Sequence, residues 1–140
     1  MPKQICVIDG QGGGIGATII RYMKDAFGES VILLALGTNT MATARMLKAG
    51  ANRGASGENP ICKIVPGADV IVGPVGITWP NSMMGEVTPE IAEAIVTSPA
   101  YKLLLPFSQE LIEIIGIVKE PLPHMVQTAV EIIKEVIINV

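Results

Sequence analysis

The stretch Val7–Gly16, VIDGQGGGIG, limits what this chain can fold into more than any other. Gln4–Ile8 before it is a short apolar run ending at Asp9-Gly10, the pattern of a buried strand. Five of the nine residues from Ile8 to Gly16 are glycine. Glycine is costly to order, so such a run marks a backbone that must pass where a Cβ would clash. Ile15–Phe27 follows with apolar residues at 15, 19, 20, 22, 23, 26 and 27, a helical stripe, and Gly28 is a stop. Strand, glycine turn and helix in this order open a parallel α/β sheet. The question is whether a phosphate or another part of the protein comes so close to the turn.

Strand and helix signals alternate through most of the remaining chain. Val31–Leu36, VILLAL, is uninterrupted apolar, as a parallel strand covered on both faces requires. Gly37–Thr40, GTNT, breaks it, and Thr40 can cap a helix to about Ala49, closed by Gly50. Asn52–Pro60 reads as a loop, Ile61–Val65 as a short strand and Asp69–Val75 as a buried one. Gly76–Val87 is a loop of 12 residues, long enough to carry function. Thr88 caps the next helix, with Pro89 at its first position. Tyr101–Phe107 is a further strand, and Ile112–Val118 is expected to return antiparallel. A last helix runs from about Pro123 to Ile138. The reading is one domain over residues 1–140, a three-layer Rossmann-like α/β fold. Its sheet is mostly parallel, in the order 3-2-1-4-5 with an antiparallel edge strand, and right-handed crossovers place helices on both faces.

Composition narrows the function classes. Of 140 residues, 49% are hydrophobic and 16% charged, against about a quarter charged in ordinary soluble domains. Apolar surface is therefore expected to meet a partner subunit in a homodimer. The last helix is a candidate, since Met125, Val126, Ala129, Val130, Ile132, Ile133, Val136, Ile137 and Ile138 make a stripe wider than one core face needs. A net charge of −3 with no basic block argues against nucleic acid as a partner. No apolar run approaches the roughly 20 residues of a membrane helix, and the N-terminus lacks a signal-peptide core. These features fit a cytoplasmic protein. Cys6 and Cys62 lack metal-ligand spacing and read as reduced thiols, with no metal expected.

In a doubly wound fold, ligands bind outside the carboxyl ends of the strands. Free amides and the positive helix end make the first turn an anion site. Gly12, Gly13, Gly14, Ile15, Gly16 and Ala17 match G-x-G-x-x-A. Gly10, Gln11, Gly12, Gly13, Gly14, Ile15 and Gly16 match G-x-x-x-G-I-G, which resembles the cofactor loop of short-chain dehydrogenases, with Asp9 where that family has Thr. A tight turn with close packing is the alternative. A P-loop is excluded, since Ala17 stands where the phosphate-binding Lys belongs. After the second strand no acid is placed to hold a ribose. Thr38, Asn39 and Thr40, with Arg45 beyond, suit a 2′-phosphate, so NADP is the cofactor expected; helix capping is their other reading. The Y-x-x-x-K pair of the dehydrogenases is missing: Ala26 follows Tyr22 at that spacing, and Leu105 follows Tyr101.

Other candidates share the same sheet edge. Gly73 and Gly76 permit close approach of a ligand, and Asn81 and Ser82 can hydrogen-bond it, unless this loop is plugged by Trp79. Asp9 is read as holding amides of the glycine turn. Glu58 is read as an exposed acid, Glu86 and Glu120 as solvated, and His124 as an exposed residue near the start of the last helix.

Read whole, the chain resembles a family of small bacterial proteins, found mostly among clostridia and known as a domain of unknown function. VIDGQGGGIG (7–16), ALGTN (35–39), MLKAGA (46–51), SGEN (56–59), VGPVGI (72–77), NSMMGE (81–86) and EPLPH (120–124) carry the resemblance. It implies no activity. A looser likeness is to the sugar-phosphate isomerases related to translation initiation factor 2B, in which a strand leads to a catalytic Asp. Val75 stands at that position here. The expected ligand is thus a small phosphorylated molecule or nucleotide. A non-catalytic sensing module and a phosphosugar enzyme are the alternatives.

Overall fold

Seven residues, Lys3–Asp9, form β1, whose last five are all buried. Such a strand needs neighbours on both edges and helices on both faces, and it has them. The computed structural model describes residues 2–139. β1 pairs in parallel with β2 (Val31–Gly37) on one side and β4 (Val70–Pro74) on the other. β3 (Arg53–Ser56) extends the sheet beyond β2, and β5 (Tyr101–Leu105) beyond β4. All pairings are parallel, and the order is β3-β2-β1-β4-β5. This is a Rossmann-like α/β fold.

The reversal of direction between β1 and β4 sorts the helices onto two faces. α1 (Gly14–Phe27), α2 (Thr40–Lys48) and α5 (Leu122–Asn139) cover one face; α3 (Glu58–Ile64) and α4 (Pro89–Thr97) cover the other. The alternation of side chains along each strand splits the core accordingly. Ile5, Val7, Leu33 and Val72 pack with Ile19, Ile20 and Met23 of α1 and Val126 and Ile133 of α5. Cys6, Ile8, Leu36 and Ile71 pack with Ile61 of α3 and Ile91 and Ile95 of α4. Full burial of each such aliphatic side chain contributes roughly 1.5–3 kcal/mol.

Three expectations are corrected. The expected loop at Asn52–Pro60 holds β3, a four-residue edge strand. The expected strand at Ile61–Val65 belongs to α3 and the 3-10 turn after it, because Ile61, Ile64 and Val65 sit at i, i+3 and i+4 on one helix face. The antiparallel edge strand at Ile112–Val118 does not form; residues 111–120 are exposed and irregular, with a turn at Ile115–Gly116 where Gly116 has φ 93°. Fully exposed apolar side chains concentrate there, while on α5 Ile132, Val136 and Ile137 are only half-buried. Met125, Val126, Ala129, Val130 and Ile133 of α5 are buried, whereas Gln127, Thr128, Glu131, Lys134 and Glu135 face solvent. The side chain of Ile138 lies outside the described residues.

Candidate functional site

β1 and β2 end in register, with Asp9 opposite Gly37, so the glycine loop and Thr38–Thr40 emerge side by side. The reversal between β1 and β4 opens a crevice at this edge. The first question is what lies against each glycine. At Gly10 a Cβ would run into Thr38 Oγ1 and come within 2.7 Å of Met83 Sδ. At Gly13, with φ 72°, it would meet the Ala42 backbone at 2.8 Å. At Gly16 it would meet Asp9 Cβ at 2.9 Å, and at Gly73 the carbonyl oxygen of Ile8. These four glycines let parts of the protein pack together. Gly12 and Gly14 differ: their nearest neighbour is the flexible end of Arg45, at 3.9 and 3.4 Å.

The loop amides divide in the same way. Asp9 is buried and its Oδ1 and Oδ2 accept from Gly10 N (2.8 Å) and Gly16 N (2.7 Å). Burial pushes its carboxyl above the ordinary range, the two amides pull it back in part, and nearby Glu86 adds to the rise. Gly13 N donates to Gly10 O, closing the turn, and Ala17 N donates to Gly13 O, the first helical bond. Among the described residues, the amides of Gly12, Gly14 and Ile15 donate to no protein group. Gly14 and Ile15 are the first two residues of α1, where such amides lack an intrahelical partner. The Arg45 guanidinium lies beside Gly12 and Gly14 and donates to Gly12 O at 3.3 Å.

Glu86 is not a solvated surface acid. It is half-buried, and its Oε1 accepts from Thr38 Oγ1 (2.6 Å), Gln11 N (2.8 Å) and Asn39 Nδ2 (2.8 Å). Burial alone would raise this carboxyl, but the bonds from Thr38, Gln11 and Asn39 outweigh it and hold the group below its usual range. Thr38 and Asn39, expected to hold a 2′-phosphate, thus spend these hydrogens on a carboxylate. Asn39 also caps α2, accepting from Ala42 N, one residue before the cap expected at Thr40, which is exposed. No local signal marks Glu86; only the adjacency of β4 to β1 brings its loop here.

That loop is built on left-handed residues. After a 3-10 turn at Val75–Thr78, Asn81, Met83 and Met84 have φ of 67°, 55° and 57°. Asn81 N donates to Val87 O, and the Asn81 side chain is exposed. Ser82 is buried and spends its hydroxyl on Gly76 O. Gly76 and Ser82 line the crevice together with Asp9, Gln11, Ile15, Met83, Phe107 and Glu110, around a cavity of about 100 Å³. Pockets that hold drug-sized ligands span roughly 300–1,000 Å³, so this cavity is smaller than a whole nucleotide needs. Gln109 and Glu110 close it, accepting from Gln11 Nε2 (3.2 Å) and Met83 N (3.2 Å).

The remaining candidates lie elsewhere. Glu58 accepts from Thr88 Oγ1 at 2.6 Å and ties α3 to α4. His124 is exposed on α5. Burial pushes the Cys6 thiol up to about 12, as suits an inert core group. Among the described residues no cluster of acids, His and Cys could hold a metal ion, and no helix is long and apolar enough to cross a membrane.

Two solved structures align with parts of the chain. A dodecameric FMN-dependent Ubix-like decarboxylase from Escherichia coli O157:H7 is 14% identical, with 94% of this chain and 76% of that one aligned at a TM-score of 0.49. A universal stress protein in complex with cAMP is 21% identical, with 75% and 98% aligned at a TM-score of 0.40. No curated protein matches the sequence. Residues 4–138 match one family model, and the chain belongs to that family, the Domain of unknown function (DUF3842).

Proposed function

We propose that this protein binds a small phosphorylated ligand or nucleotide at the β1–β4 crevice. The observation that carries the reading is the set of amides of Gly12, Gly14 and Ile15, unpartnered among the described residues, in a loop that the Arg45 guanidinium adjoins at Gly12 and Gly14. A phosphate there would take bonds from the amides, favourable charge from the helix end and a further donor from Arg45. The rest of the ligand would lie toward Gln11, Thr38, Asn39 and the crevice. NADP stands in this class of ligands beside NAD, nucleoside monophosphates and phosphosugars. We also propose self-association, supported by the fully exposed Leu111 and Ile115 at 105% and 97%.

The test is a thermal-shift series with inorganic phosphate, AMP, ATP, NAD, NADP and ribose 5-phosphate. A true ligand raises Tm with concentration, by an amount equivalent to about 2.7 kcal/mol at 100 times Kd. Gly14→Val and Arg45→Ala should abolish or weaken the shift with the fold intact. Absence of any shift at millimolar concentration overturns the reading. A phosphosugar enzyme is the second reading. Asp9 favours it, as a buried acid of raised pKa on the crevice wall. A bound phosphosugar left unchanged after long incubation removes that reading and leaves a sensing module.

A further inference from the structure

Glu86 stands where its own stretch of sequence would not place it. It belongs to the connection between β4 and α4, yet its carboxylate lies at the end of β2, bonded to Thr38 and Asn39 and to the second amide of the glycine loop. In doubly wound folds an acid at the end of the second strand accepts from a ribose hydroxyl. Here that end reads Gly37-Thr38-Asn39-Thr40 and contains no acid. The far loop supplies one.

Three observations bear on its use. Only Oε1 takes the bonds from Gln11, Thr38 and Asn39; Oε2 has no partner among the described residues. Among the described residues no buried side-chain oxygen or nitrogen lacks a partner, so Oε2 reaches the protein surface, at the end of β2 beside the crevice. The non-glycine residues with positive φ among those described are Gln11, Asn81, Met83 and Met84, all in the two loops that Glu86 ties together. Strained backbone of this kind costs free energy and persists where surrounding contacts over-determine it. Here it accompanies delivery of one carboxylate to one place. Gly12, the first residue of the open amide set, is the next residue after Gln11.

We infer that Glu86 is the hydroxyl acceptor of the ligand site: Oε2 accepts from the free ribose 2′-hydroxyl of a nucleotide whose phosphate lies on Gly12, Gly14 and Ile15. The ligand class is therefore a nucleotide with an unmodified ribose. A 2′-phosphate would be set against a carboxylate whose neighbouring donors are already engaged. The inference rests on the phosphate reading above and names the sugar that goes with it.

The experiment measures affinity for AMP, 2′-deoxy-AMP, NAD, NADP and inorganic phosphate on the wild-type protein, Glu86→Gln and Gly14→Val. Loss of a charge-assisted hydrogen bond should weaken 2′-deoxy-AMP relative to AMP by about tenfold in the wild type, with a smaller ratio in Glu86→Gln. NAD should bind more tightly than NADP, and Glu86→Gln should narrow that gap. Equal binding of AMP and 2′-deoxy-AMP by the wild type, or NADP tighter than NAD, overturns the inference. Phosphate binding separates the two claims. If inorganic phosphate binds the wild type and Gly14→Val abolishes that binding, the phosphate site stands even where the hydroxyl preference fails. If no nucleotide and no phosphate binds, both fail. The wild-type ligand ratios decide the matter even if a variant folds poorly.

Discussion

The two segments that flank the β1–β4 crevice are opposites. On the β1 side, the glycine loop is bound into a polar network through Asp9, Glu86, Thr38 and Asn39, and only the amides of Gly12, Gly14 and Ile15 stay open. On the β5 side, residues 111–120 are exposed, and Gln109 and Glu110 just before them make the ties to the rest of the site. One side is preorganised, with donors and acceptors fixed before a ligand arrives. The other carries the apolar surface that the low charge content foreshadows, in Leu111, Ile115 and Val118. The β1 side is thus the fixed, polar flank of the crevice, and the β5 side the exposed, apolar one.

The sharpest break of this contrast is Gly13→Val. A β-branched residue at φ 72°, against the Ala42 backbone, should cost on the order of 3 kcal/mol or more. Gly14→Val, facing only the end of Arg45, should cost far less. Urea unfolding of the pair measures the difference, and equal losses would erase the division between packing and open glycines. Next comes Asp9→Ala. It strands two amides on the buried side of the loop and should cost roughly 2–4 kcal/mol, a loss that Asp9→Asn recovers in part.

A smaller effect is expected from pH. Glu86 titrates below its ordinary 4.5 in the folded protein, so its contribution is present above that value and lost as the pH falls through the lowered one. Asp9 works in the opposite sense. Its carboxyl is raised, so its contribution is complete in acid and is lost as the pH rises through the raised value. Unfolding free energies from about pH 3 to 7 should show the gap between wild type and Glu86→Gln closing toward the acid end. The smallest effect belongs to the β5 side. Leu111→Ser with Ile115→Ser should change monomer stability by less than about 0.5 kcal/mol, yet weaken association measured by sedimentation. A large stability loss would mean that the segment is packed after all.

Long apolar runs and capped amphipathic helices made much of the fold legible in the sequence: VILLAL as β2 and the Thr88-Pro89 start of α4 follow from local chemistry, whereas the strand order depends on pairings between distant segments. β3 was hidden because a four-residue edge strand with exposed Arg53 and Gly54 has neither an apolar run nor full alternation. Ile112–Val118 misled in the other direction, since β-branched residues favour strands only where a neighbouring edge receives them. At the site, the glycine loop announced itself, but which glycines were open did not, because that depends on Ala42, Met83 and Arg45 arriving from elsewhere. Glu86 was illegible for the same reason.

The central position of β1 also orders the events of folding. The first strand made is not the first to be enclosed: β2 can join it early, but its other edge waits for β4. Glu86 follows β4, and its bond to Gln11 joins residues 75 apart in sequence. Contacts of such separation are slow to form. A nascent chain therefore exposes a glycine loop without its carboxylate, and the polar network around that loop closes only after β4 has joined the sheet.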